Sequence, residues 1–150
     1  MVQRLVRLMV LAVLVTGCAT TPTPPPAFDM PKQDALRGSP AEWLWKSGVE
    51  AREKNDLAAA GRYFERALEL VPDSSWLYRE MAELRMRQGD DRAAEGLAKK
   101  ALRFAPRDPA YEGALWQLIS TARLRQGDEM GAANARMEAE MLWKQDARHD

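Results

Sequence analysis

From Ala41 onward, apolar residues recur every three or four positions, and short polar or proline-bearing stretches interrupt the pattern at near-regular intervals. That period is the mark of amphipathic helices packed on one side. The interruptions divide the chain into six predicted helices, at about 41 to 54, 57 to 70, 75 to 88, 91 to 104, 110 to 126 and 129 to 146. Large apolar residues fall at Leu44, Tyr78 and Trp116 in the odd-numbered helices and at Phe64, Leu68, Leu97, Leu102 and Phe104 in the even-numbered ones. At this spacing they predict a packed helical core and an all-α fold.

The pattern repeats. Pro72 and Pro106 lie 34 residues apart, and on that spacing Gly48 pairs with Ala82, Ala60 with Ala94, and Ala67 with Ala101. A third unit aligns at an offset of 38, placing Ser120, Ala132 and Ala139 at the same three positions. Only Gly, Ala or Ser lets two helix backbones approach closely, so three small positions in register across three units predict three helix hairpins. A helix-turn-helix unit of this length, with small residues at its eighth, twentieth and twenty-seventh positions and a closing proline, resembles the tetratricopeptide repeat. The resemblance implies a short superhelix of about three hairpins over 41–147, with repeats at 41–74, 75–108 and 109–146. The last repeat departs from the family pattern. It has four extra residues before Ser120, Arg136 and Glu140 where Phe64 and Leu68 stand, and Lys144 in place of a proline. The extra residues leave open a longer first helix or a longer loop, and the added charge suits a solvating cap.

Two charged stretches, RMRQGDD at Arg85 to Asp91 and RLRQGDE at Arg123 to Glu129, are near copies. They read as hairpin corners. Arg85 to Gln88 form the last turn of a helix, Gly89 supplies the left-handed stop, and Asp90 caps the next helix. Asn55 with Asp56, and Gly127 with Asp128, do the same in the other repeats.

Ahead of the repeats, Arg4 and Arg7 precede an apolar run from Leu8 to Val15, too short for the roughly 20 residues of a spanning helix and characteristic of a secretory leader. Val15, Thr16, Gly17 and Cys18 resemble the lipobox of bacterial lipoproteins. That resemblance implies cleavage after residue 17, covalent lipid on Cys18, and membrane attachment through the lipid. Ala19 follows in place of the Asp that retains many such proteins at the inner membrane, so the periplasmic face of the outer membrane is implied. Cys18 is the single cysteine, which excludes a disulfide framework. Residues 18–40 hold six prolines and read as an extended linker able to reach about 60 Å, with Phe28 and Met30 as its larger apolar side chains.

Composition narrows the function by exclusion. Basic and acidic residues balance at 22 each, and removing Arg4 and Arg7 with the leader leaves 20 against 22, so there is no basic field for nucleic acid. The only histidine, His149, stands beside the C-terminus, and no nucleophile elbow, phosphate loop or calcium loop appears. Neither an enzyme nor a cofactor, metal or small-molecule substrate is expected. The tetratricopeptide resemblance implies instead a concave surface lined by the second, fifth, ninth and twelfth positions of the first helices. Candidate partner-binding residues there are Trp45, Val49, Arg52, Trp76, Arg79, Glu83, Met86, Gln117 and Thr121, a mixture typical of peptide contacts. The lysine and asparagine clamp of chaperone-binding members is missing. The expected function is a lipid-anchored adaptor for proteins or peptides of envelope machinery, whether pilus, secretion or outer-membrane assembly. The alternative is an accessory scaffold for peptidoglycan hydrolases or synthases.

Overall fold

The computed structural model describes residues 36–148. The leader, Cys18 and the linker up to residue 35 lie outside the described residues. Six helices follow one another, α1 Pro40–Glu53, α2 Leu57–Leu70, α3 Ser75–Arg87, α4 Asp91–Phe104, α5 Pro109–Arg125 and α6 Glu129–Asp146. Pro40 and Pro109 open their helices one residue earlier than the apolar period indicates, because the first helical position needs no amide hydrogen.

The hairpins are closed by three copies of one corner. Asn55, Gly89 and Gly127 have φ of 60°, 79° and 82°, the left-handed residue that stops each first helix. The following amides, Asp56, Asp90 and Asp128, donate back to Ala51, Arg85 and Arg123 carbonyls at 2.9, 2.9 and 3.0 Å. The same three aspartates then accept from Ala59, Ala93 and Gly131 amides at 2.9, 3.1 and 2.8 Å, starting each second helix. RMRQGDD and RLRQGDE are therefore corners, and their register fixes where each pair of helices turns back.

The nine small positions are all buried. At Gly48 the reason is direct, since a Cβ there would collide with the ring of the fully buried Phe64. Around these crossings Leu44, Trp76, Leu77, Tyr78, Tyr111 and Leu115 form a continuous core that runs through all three hairpins. Leu36, only 1% exposed, joins this cluster, and a turn pins it there, with the Ser39 amide and hydroxyl both donating to the Leu36 carbonyl at 3.0 and 2.8 Å. The packed core thus includes Leu36, which lies ahead of the boundary that the proline content suggested.

The four extra residues of the third unit lengthen a helix. α5 has 17 residues and α6 has 18, against 13 or 14 in the others. The added turn is covered by Trp143, whose indole N–H donates to the Ala110 carbonyl at 3.3 Å and whose ring occupies the space a Cβ on Gly113 would need. Arg136 and Glu140 are exposed, as expected of a cap, but Met130, Met137 and Met141 are also exposed, at 77%, 55% and 55%. The outer surface of α6 accordingly combines the added charge of a solvating cap with exposed methionines. No helix among the described residues is long and apolar enough to cross a membrane, and those residues contain no cluster of potential metal ligands.

Candidate functional site

The nine candidate residues lie on the first helices α1, α3 and α5, and several of them bind each other. Glu80, on α3, is buried among them and was not anticipated from the sequence. Its carboxylate accepts from Arg52 Nη1 at 2.5 Å and from Trp45 Nε1 at 3.3 Å, both on α1. Arg52 also meets Glu83 at 3.3 Å, and Glu83 in turn accepts from Arg79 Nε at 3.1 Å. The Arg79 guanidinium lies 5.2 Å from the Trp76 ring centre, and Trp76 meets Trp45 edge to face at 6.2 Å. Two guanidinium groups, two carboxylates and two indoles therefore form one connected cluster bridging hairpins one and two.

Burial pushes the Glu80 carboxyl above its ordinary value, against the pull of Arg52. A charge held in such a place needs its partner. The sequence signal that could have revealed it is an acidic residue inside the run WLYREMAEL, one turn after Trp76 on the face that also carries Glu83. Trp76 itself is only 3% exposed, so it belongs to the core and presents almost no surface to a ligand. Its indole N–H has no hydrogen-bond partner among the described residues. Of the remaining candidates, Trp45, Val49, Met86, Gln117 and Thr121 are half-buried along the three first helices, with the Thr121 hydroxyl donating to the Gln117 carbonyl at 3.0 Å.

A second cluster joins hairpins two and three. Glu95 on α4 accepts from Arg123 Nε at 2.8 Å and Gln126 Nε2 at 3.0 Å, and pairs with Lys99 at 2.7 Å. Burial raises the Glu95 carboxyl, but these donors together outweigh it and lower the group to about 2. Arg123 and Gln126 belong to the repeated corner, and their counterparts Arg85 and Gln88 reach back to Glu65 and to the Leu57 carbonyl at 3.4 and 3.5 Å. The corner side chains thus fasten each hairpin to the one before it.

The arrangement offers surface, helix ends and paired charges. A stack of helix hairpins with a shared small-residue register is an interaction scaffold. The tetratricopeptide-repeat family profile matches residues 51–118. Among solved structures, the globular C-terminal domain of P. aeruginosa LpoP is similar, with 34% identity and a TM-score of 0.65 over 68% of this chain and 96% of that one. Comparison with curated proteins gives no match. The chain belongs to the tetratricopeptide-repeat family.

Proposed function

We propose that the protein is a lipid-anchored adaptor on the periplasmic face of the outer membrane, holding a protein or peptide of the cell envelope against its first-helix surface. The observation that carries the adaptor reading is the stack itself, three hairpins in one register whose first helices align Trp45, Val49, Met86, Gln117 and Thr121 at half-buried positions. Its likeness to the LpoP domain supports it, since the similarity extends over 96% of a domain that its name places at the C-terminus of a longer protein. Here too the packed domain follows a long N-terminal segment, which holds the lipobox and the prolines. Arg52 and Glu83 act within this surface by fixing α1 to α3, with Arg79 holding Glu83 from the same helix, leaving the less polar neighbours to meet the partner.

Two experiments test the reading. Cys18→Ala should move the protein from the membrane fraction to the soluble one, and sedimentation with membranes as in wild type would remove the lipid anchor from the proposal. Crosslinking in intact cells, followed by mass spectrometry, should recover a specific envelope partner, and Met86→Glu with Gln117→Arg should abolish its capture while helicity is retained. Unchanged capture would exclude this surface. Recovery of a peptidoglycan hydrolase or synthase would assign the accessory-scaffold alternative, which fits the same fold.

A further inference from the structure

We propose that the outer face of α6 is a homodimer interface on which a second copy of the chain seats its own α6 in antiparallel orientation. The first observation is a change of chemistry at fixed register. Met130, Met137 and Met141 occupy the same repeat positions as Ala58, Glu65 and Glu69 of the first hairpin and Arg92, Lys99 and Arg103 of the second. All nine residues are exposed. Five of the six earlier ones are charged, as a solvated outer face requires, and all three in the last hairpin are methionine. At 3.6 residues per turn the three methionines fall within about 40° of one another and form a single stripe. Methionine is unbranched and polarizable, and adapts well to a facing helix.

The second observation identifies the occupant. Glu129, Arg136, Glu140 and Lys144 flank the stripe on one side, and among the described residues none of them has an ion pair. In an antiparallel pair of identical helices related by a twofold axis, a residue a given distance before the axis faces one the same distance after it. An axis beside Met137 sets Met137 against its own copy and Met130 within one helical turn of Met141 of the second molecule. The same axis sets Glu129 opposite Lys144, and Arg136 within reach of Glu140, each twice. The midpoints of these pairs all fall within about 1.5 residues of Met137, close enough for one axis to serve them. A partner of unrelated sequence would not require such self-complementarity, and the stripe lies on the second helices, leaving the first-helix surface open.

Sedimentation equilibrium of the full chain carrying Cys18→Ala, so that acylation does not itself gather copies, tests this in density-matched detergent. The expected result is a dimer with a dissociation constant at or below about 10 μM. Met137→Glu should raise that constant at least tenfold with the helical circular dichroism unchanged. Arg136→Glu and Glu140→Arg should each weaken the dimer, and the two together should restore it, because the reversed charges again face each other. A chain that stays monomeric at about 100 μM, a dimer indifferent to Met137→Glu, or a double reversal that fails to restore association would overturn the proposal.

Discussion

The seam between hairpins one and two and the seam between hairpins two and three both rest on an arginine and a glutamate, yet they work in opposite ways. In the first, Glu80 is buried, its carboxyl is raised by that burial, and Arg52 reaches across from α1 to meet it at 2.5 Å. In the second, Glu95 sits nearer the rim, and donors from Arg123, Gln126 and Lys99 overcome its partial burial and lower it to about 2. The same pair of residue types is thus a liability that must be kept matched in one place and a fastening in the other. The difference lies in the number of hydrogen bonds to the charged form relative to the water it has lost.

Breaking the first seam should have the largest effect. Arg52→Ala leaves Glu80 buried with only Trp45 to satisfy it, and should destabilise the fold by about 3–5 kcal/mol, measured by urea unfolding at pH 7. Replacing both partners with apolar residues, as in Arg52→Met with Glu80→Met, should recover most of that loss, whereas equal losses in single and double variants would mean that the pair is not the origin.

At the second seam, Glu95→Gln should cost about 1–2 kcal/mol at neutral pH. Because the folded value of Glu95 lies below its ordinary value of 4.5, the stabilisation is complete above pH 4.5 and is lost as pH falls toward about 2. Thermal midpoints of wild type and variant should therefore converge over that window, and a constant gap down to pH 2 would contradict the assignment. Glu80 has the reverse sign. Its raised value means that stability falls as pH rises above 4.5, so Glu80→Gln should remain within about 1 kcal/mol of wild type and gain on it with increasing pH.

Within the first hairpin, Gly48→Ala sets overpacking against Phe64, about 1–3 kcal/mol, against a gain in helix propensity of about 1 kcal/mol. A net loss of at most about 2 kcal/mol is expected, and it should shrink when Phe64 is shortened to Leu. If the loss is unchanged in the Phe64→Leu background, the close approach does not set the glycine requirement.

How much of this was legible depended on the range of the interaction responsible. The corners at Asn55, Gly89 and Gly127 were readable because a left-handed stop and a capping aspartate act within five residues. The small-residue register was readable because repetition displays a long-range contact three times over. Leu36 was hidden inside a proline-rich stretch, where no local period distinguishes a residue that turns back onto the core. Within the candidate surface, the burial of Trp76 in the core and the pairing of Arg52 with Glu80 were not legible, because exposure and pairing depend on the neighbouring hairpin.

The sequence by itself determined the helices, their stops and starts, and the stacking register, since each follows from backbone conformation and side-chain size at fixed spacing. Only the tertiary structure decided that the four extra residues became a helical turn under Trp143, that Glu80 is buried while Glu95 is held ionised, and that three methionines of α6 face outward. Those outcomes depend on which surfaces of different hairpins meet, and on the water that their meeting excludes.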